Sequence, residues 1–515
     1  MVTLIIENSR VEVKGASLKT TSALEKATSY LVGGYYHNRA YRARRWDGRE
    51  HLMTFKRGKY TVPIGLLGII KRKLAELGEE FEVKRRATLP PPRVEYAWNS
   101  KVQLRSYQLA AVETFCASPD PGRGILKMPI RSGKTKTAAG AIKRLKTTTL
   151  FIVPSQMLLY QTIASLNESL VDANIGMIGD SEWNVGDVTV ATIQTLARLR
   201  GGTERQCKGN GVRDASGVRV KGQYTDQHAA CGRKHCDGGH KYKAKTDPRY
   251  MPLLSQFGFV IFDEVHHLTG EAWHGVMVDC PARFRLGLSA TVYFDDQKEN
   301  ERGVIWLRAC CGDIKCDIST SDLIEQGYLM RQEVEVYPIK YPNRNDVKEW
   351  SQTLQNECIY NNEYRNKRIV LDTARKLQDG LNVLIVTNRL SQIAEISDIL
   401  HKCRISHEVV TGSDPQDDRE WKVASFKRGD VSVLVGTVFG EGIDIPEVEC
   451  VINAEGGRDV KATIQRMRNM TPSEGKTRSV LVDYWDDTNA YFRKHSRIRH
   501  KTYESEPAFI VSKNW

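Results

Sequence analysis

The chain has no apolar run near the roughly 20 residues needed to span a bilayer, so no membrane segment is expected among its 515 residues. The opening residues, MVTLIIENSRVEVKG, lack a basic stretch followed by an apolar core and a small-residue cleavage site, and no secretory signal is expected. Cysteines are few and odd in number, 11 in all, which argues against a disulfide framework and for reduced thiols in a cytosol-like compartment. Cys116, Cys280, Cys358, Cys403 and Cys450 stand alone and read as small core residues. Acidic residues are in deficit: 62 Asp and Glu face 76 Lys and Arg, a formal charge of +14. No spare acidic cluster with lysine stands out, as a fused nuclease would need. A chain this basic usually meets a polyanion, because cations that neutralise phosphates release condensed counterions; solubility alone is the competing explanation. Hydrophobic residues at 40% and charged residues at 27% permit real cores and exclude wholesale disorder. The length suits three or four domains.

Residues 1–98 read as a small α/β unit. Alternating apolar positions predict a strand over Val2–Val13, and a helix follows over 21–32. His51–Phe55 predicts a strand, Pro63–Leu77 a helix opening at proline, and Phe81–Lys84 a last strand. Pro90-Pro91-Pro92 reads as a linker, because consecutive prolines suit neither a ladder nor a helix interior. From Gln103 the rhythm changes. Short apolar runs at Thr149–Val153, Val188–Ala191 and Phe259–Phe262 alternate with helical stretches, as in a parallel sheet covered on both faces. The same rhythm returns at Val383–Val386, Val433–Gly436 and Val451–Asn453. Two successive α/β domains are therefore expected, over 99–320 and 321–485, with a basic helix or tail over 486–515. Residues 200–248, rich in Gly, Lys and Arg, interrupt the first domain as an insertion.

Two segments carry chemistry. After the strand expected at Gly124–Met128 comes a loop ending Arg131-Ser132-Gly133-Lys134-Thr135. A tight turn between strand and helix aims backbone N–H groups at phosphate, Lys134 can reach the β- and γ-phosphates, and the Thr135 hydroxyl can bind Mg²⁺. The full phosphate-loop pattern has glycine five positions before Gly133, where this chain has Met128. The second segment is a buried strand ending in Asp263-Glu264-Val265-His266. Asp263 would hold Mg²⁺, and Glu264 would orient or deprotonate the attacking water. The competing reading is a capped strand end with a solvated acid pair.

Taken in order, Arg105-Ser106-Tyr107-Gln108, RSGKT, DEVH, Ser289-Ala290-Thr291 and Gly442-Ile443-Asp444 resemble the superfamily 2 helicases over roughly residues 100–485. The resemblance implies two tandem RecA-like domains that bind ATP and Mg²⁺ in a motor working as a monomer. It implies that Gln108 reads the adenine edge and that Ser289 and Thr291 couple hydrolysis to the nucleic-acid track. Ser155 and Gln156, Thr192 and Gln194, and Asn388 and Arg389 match the family's strand-backbone contacts; Thr437, Gly442 and Asp444 match the cleft that senses nucleotide and strand. The competing role for these polar residues is capping and turn formation. The last motif departs from the pattern: Ala462-Thr463-Ile464-Gln465-Arg466-Met467-Arg468-Asn469 offers Arg466 as the arginine finger, with Arg468 as the alternate.

The densest basic and aromatic stretch is His37–Arg49. Arg42, Arg44, Arg45 and Arg49 are assigned to duplex contact, and Trp46 to a small core rather than a wedge between bases. Arg45-Trp46-Asp47-Gly48-Arg49 and Pro63–Gly68 resemble the front domain of the phage UvsW-type branch-migration helicases. That resemblance implies a small double-stranded DNA-binding domain ahead of the motor, acting on forks and four-way junctions in recombination, replication or repair. It places a phage-encoded chain in the host cytoplasm. In the insertion, Cys207, Cys231, Cys236 and His240 could close a tetrahedral Zn²⁺ site, with His228 and His235 as alternates and a basic loop of free thiols as the competing reading. Cys310, Cys311 and Cys316 read as core thiols. The leading expectation is an ATP-dependent DNA helicase that contacts both duplex and single strand. The alternatives are an RNA helicase or single-strand translocase, and an ATP-gated annealing protein that does not turn over.

Overall fold

The computed structural model describes the chain except for residues 87–91, 118–121, 130, 202–203, 207–210, 214–218, 225–240, 244, 291, 293–301, 438–444, 458–470, 474–475 and 515. The chain forms two compact units, one of residues 1–127 and 135–316, the other of residues 128–134 and 317–515. Among the described residues no helix is long and apolar enough to cross a membrane.

The first unit opens with a five-stranded sheet. The single strand expected over Val2–Val13 is instead a hairpin of Val2–Ile6 and Arg10–Lys14. Strands Lys59–Pro63 and Thr54–Lys56 extend it on one side, and Phe81–Arg85 pairs parallel to Val2–Ile6 on the other. The first helix is shorter than expected, Leu18–Ala27, because Ser17 caps its start and Thr28 Oγ1 turns back to the Leu24 carbonyl at its end. Pro63 closes a strand rather than opening a helix, which begins as a 3₁₀ turn at Ile64 and runs over Leu67–Glu76.

This front sheet does not close its own core. Helix Arg302–Cys311 brings Ile305, Trp306 and Ala309 into one cluster with Leu4, Val11, Ile70 and Leu74. Gly65 sits so close to this helix that a Cβ would fall 1.9 Å from the Arg308 carbonyl oxygen, which leaves no room for a side chain. Trp306 is sandwiched there: the His274 ring stacks on it at 4.0 Å and the Arg302 guanidinium lies 4.1 Å from its centroid. Burial, with Arg302 and Arg200 adding to it, pulls the His274 imidazole down to about 4.

Beyond it lies an eight-stranded sheet in the order Glu182–Asn184, Ile175–Gly179, Val188–Thr192, Thr149–Val153, Phe259–Phe262, Phe284–Ser289, Arg123–Lys127, Ile314–Asp317. The six strands from Ile175–Gly179 to Arg123–Lys127 are parallel, and the hairpin partner Glu182–Asn184 runs antiparallel to Ile175–Gly179. Strands Thr149–Val153 and Phe259–Phe262 are buried at every position, as expected where helices cover both faces. Cys310 and Cys311 are core thiols, with Cys316 half-buried.

The second unit holds seven parallel strands in the order Glu408–Val410, Val433–Gly436, Val383–Val386, Cys450–Asn453, Val480–Asp486, Glu333–Ile339, Ile510–Lys513. The basic end of the chain is built in: helix Ala490–Glu504 buries Phe492, Arg499 and Tyr503, and Ile510–Lys513 adds an edge strand. Arg499 donates to Asp483 Oδ2 at 2.8 Å and to the carbonyls of Gly456 and Gly457, while Arg365 donates to Asp486 Oδ1 at 2.8 Å. Burial alone would raise the Asp483 carboxyl, but the Arg499 charge outweighs it and holds the group below the usual carboxylate range. Of the five isolated cysteines, Cys280, Cys358 and Cys450 are buried as expected, Cys116 is half-buried, and Cys403 is exposed because it ends helix Leu390–Lys402 on the solvent side.

Candidate nucleotide site and strand groove

Parallel strands end on the same side, so their C-terminal ends form one edge where loops and side chains converge. In the first unit that edge carries, strand by strand, Thr192, then Val153 leading to Ser155 and Gln156, then Phe262 leading to Asp263 and Glu264, then Ser289, then Lys127. Neighbouring strands lie about 4.8 Å apart. The edge is therefore divided: Asp263, Glu264 and Ser289 lie on one side of Val153, and Thr192 lies on the other.

The loop after Arg123–Lys127 is shaped by two left-handed residues, Arg131 at φ 67° and Gly133 at φ 74°. The Ser132 hydroxyl donates to the Pro129 carbonyl at 2.7 Å and fixes the turn from inside. Such alternation of backbone conformation points successive N–H groups into a concavity suited to an anion. Met128, which stands where the usual pattern has glycine, is fully buried, so its side chain fills the core. Lys134 and Thr135 open the 12-residue helix Lys134–Leu145, whose N-terminus carries the positive end of its dipole. Gln108 is buried, and its Oε1 accepts the Arg105 backbone N–H at 2.8 Å, which fixes the carboxamide.

Asp263 is 7% exposed, and its Oδ1 accepts the Glu264 N–H at 3.0 Å. Glu264 itself is left-handed at φ 47°, a conformation that costs a residue with a Cβ about 1–3 kcal/mol and clusters at functional sites. Its carboxylate faces His266, with Nδ1 at 3.3 Å from Oε2. His266 Nδ1 also lies 2.8 Å from Ser289 Oγ, and Ser289 Oγ reaches Glu264 Oε2 at 3.5 Å. His266 is thus a member of the site that the sequence reading left unassigned; its signal was the fourth letter of DEVH. Thr135 and Asp263 offer hard oxygen donors of the kind Mg²⁺ takes. Thr291, Gly442, Asp444, Arg466 and Arg468 lie outside the described residues, as do Cys207, Cys231, Cys236 and His240. Among the described residues no group of three or more His, Cys, Asp or Glu could hold a metal.

On the other half of the edge, Ser155, Gln156, Thr192 and Gln194 line one open groove of about 790 Å³. Each also has a structural duty. Ser155 caps helix Gln156–Ser169 by accepting the Leu158 N–H, Thr192 Oγ1 pairs with Thr195 Oγ1 at 2.9 Å, and Gln194 donates to the Pro154 carbonyl. Gln156 Nε2 donates to Asp180 Oδ1 at 3.0 Å. In the second unit, Asn388, Arg389 and Thr437 follow the ends of strands Val383–Val386 and Val433–Gly436. Asn388 Nδ2 donates to Glu455 at 2.8 Å, and the Arg389 guanidinium lies 5.2 Å from the Tyr360 ring centroid.

In the front sheet, Arg42, Arg44, Arg45 and Trp46 line a shallow concavity of about 580 Å³. Arg42, Arg44 and Arg45 are exposed. Arg49 is half-buried, with Nε and Nη2 donating to Ser29 Oγ and O at 2.6 and 3.0 Å, so it ties strand Arg49–His51 to Ser29–Leu31. Trp46 is half-buried rather than core, and its indole N–H donates to the Arg49 carbonyl at 2.7 Å.

Residues 101–294 match the family described as Type III restriction enzyme, res subunit, and residues 366–468 match the helicase conserved C-terminal domain. The chain is 24% identical over 360 residues to the DNA 3'-5' helicase XPB of Mycobacterium tuberculosis, covering 69% of this chain and 55% of that protein. It is 22% identical over 492 residues to the ATP-dependent DNA helicase uvsW of Enterobacteria phage T4, covering 89% of this chain and 84% of the relative. The chain spans 55–62% of the length of several curated relatives that it matches. In fold it is similar to the ATP-dependent Type ISP restriction-modification enzyme LlaBIII bound to DNA, with TM-score 0.52 and 16% identity over 86% of this chain and 34% of the other.

Proposed function

Because the chain belongs to the superfamily 2 helicases, with two RecA-like domains, we propose that it is an ATP-driven motor that moves along DNA and remodels branched intermediates. The observation that carries this reading is the Asp263–Glu264 pair at the end of a buried strand, next to the strand that leads into the groove lined by Ser155, Gln156, Thr192 and Gln194. Bound Mg²⁺ would supply positive charge to offset the charge that develops on the phosphates. Thr135 and Asp263 would hold it. The backbone of Arg131–Gly133 cradles phosphate, Lys134 reaches its outer oxygens, and Gln108 reads the adenine. Glu264, held by His266 and Ser289, orients the attacking water. Arg466 or Arg468 supplies the finger.

The strand lies across Ser155, Gln156, Thr192 and Gln194 in the first domain and beside Asn388, Arg389 and Thr437 in the second. Arg42, Arg44 and Arg45 grip duplex arms, while Arg49 supports the segment they project from. This front-domain role, together with the front domain's resemblance to the branch-migration helicases, favours forks and four-way junctions as substrates. The test is ATP hydrolysis measured side by side with single-stranded DNA, duplex, four-way junction and RNA. Junction and single-stranded DNA should stimulate most, and Lys134→Ala should abolish turnover while DNA binding persists. Retained turnover in that variant, or stimulation by RNA alone, overturns the reading.

A further inference from the structure

The groove ends at a hairpin that the motifs do not explain. Strands Ile175–Gly179 and Glu182–Asn184 are joined by a two-residue turn, Asp180 and Ser181, both left-handed at φ 50° and 66°. The turn is anchored to the helix that Ser155 caps: Asp180 accepts from Gln156 Nε2 at 3.0 Å and from Tyr160 Oη at 2.6 Å. The hairpin is therefore held against the strand-contact segment. Its outer strand carries Trp183, which is 39% exposed and lines the groove. Arg249 lies against it, guanidinium carbon 4.6 Å from the ring centroid. Arg249 is itself fixed in plane by Asp247, with Nε donating to Oδ1 at 3.0 Å and Nη2 to Oδ2 at 2.8 Å.

An anchoring tryptophan is normally well buried; this one sits on an edge strand whose three residues are all exposed. Charge at this end of the groove does not favour phosphate, since Arg198 and Arg249 face Asp180, Glu182 and Asp247. What the site offers is an aromatic face stiffened by a cation, and every nucleobase has a face to stack on it. We propose that Trp183, backed by Arg249, is the stacking platform for one base of a single strand lying in this groove. The inference rests on the motor reading above and deepens it. Trp183 sets where along its path the strand is held by a base rather than by its backbone.

The test is an abasic scan. Single-stranded DNA oligonucleotides carrying one abasic site at successive positions are bound to the full chain. In the wild-type protein one position should cost about fivefold or more in affinity, the range that stacking on an aromatic residue supplies. In Trp183→Ala the same abasic site should cost nothing, and Trp183→Phe should restore most of the penalty. Arg249→Gln, at an exposed residue, keeps the ring and should shrink the penalty, which provides a second route should the alanine variant not fold. An abasic profile unchanged in Trp183→Ala or, if that protein is lost, in Arg249→Gln overturns the platform while leaving the motor reading intact. Failure of the wild-type chain to bind any single strand sinks both.

Discussion

Replacing Ser289 with alanine probes whether hydrolysis is coupled through the Glu264–His266–Ser289 cluster. The hydroxyl lies 2.8 Å from His266 Nδ1 and 3.5 Å from Glu264 Oε2, and Ser289 is fully buried, so water cannot take its place. Losing one such buried hydrogen bond costs about 1–3 kcal/mol, or roughly 5- to 150-fold in a rate that depends on it. The affected rate should be DNA-stimulated hydrolysis, because Glu264 is held by this cluster. His266→Ala should produce a loss of similar size. The double variant should be no worse than the weaker single one, an interaction of about 0.5–3 kcal/mol in a double-mutant cycle. The assay is ATP turnover with and without single-stranded DNA, paired with strand displacement, so that base pairs opened per ATP can be compared. Fully additive losses would falsify the cluster as a unit, and so would an unchanged yield of opened base pairs per ATP.

Replacing Arg42, Arg44 and Arg45 together should weaken duplex and junction binding, and the slope of log affinity against log salt should fall by roughly one per arginine removed. Equal slopes in a filter-binding or anisotropy titration would remove these residues from the interface. The seam between the front sheet and the first RecA-like domain should be acid-sensitive. Burial lowers His274 in the folded chain to about 4, below its ordinary value, so the unfolded chain binds the extra proton first. Stability from this group is complete above about pH 6.5 and drains away as pH falls toward 4, by up to a few kcal/mol. Limited proteolysis of the front sheet across that window should accelerate in the wild type and stay flat in His274→Phe; parallel profiles would dismiss the histidine.

What could be read from the sequence follows from where each signal resides. Strands such as Thr149–Val153 and Phe259–Phe262 are buried on both faces, so they appear as unbroken apolar runs and were legible. The front hairpin was not. Its inward residues are Val2, Leu4 and Ile6 in one arm and Val11 and Val13 in the other, and the turn between them has neither glycine nor proline to mark it. Lys134 and Asp263 announce themselves because phosphate and metal chemistry need those residue types next to a strand end. Ser155, Gln156, Thr192 and Gln194 were reached through family resemblance, and the parallel register explains why they share one groove. Trp183 and Arg249 were invisible, because a hairpin and a long insertion separate them along the chain. Arg499 was read only as part of a basic helix or tail. Its pairing with Asp483 depends on how helix Ala490–Glu504 packs against the sheet, which periodicity does not report.

The front sheet and the first RecA-like domain share a core, and this constrains how such a motor can handle a junction. Ile305, Trp306 and Ala309 are covered by the front sheet, and Gly65 admits no side chain against the Arg308 carbonyl. Separating the two would expose three apolar side chains, Trp306 among them, each worth about 1–3 kcal/mol of burial. On the proposed reading, duplex at Arg42, Arg44 and Arg45 and single strand in the Ser155–Gln194 groove would both be held by one compact unit. The distance between those two proposed DNA contacts would then stay constant. A front sheet on a flexible linker would let the duplex arm lag behind the strand. Built into the first domain, it would make each advance of the strand an equal advance of the duplex, as the proposed branch migration requires and simple strand separation does not.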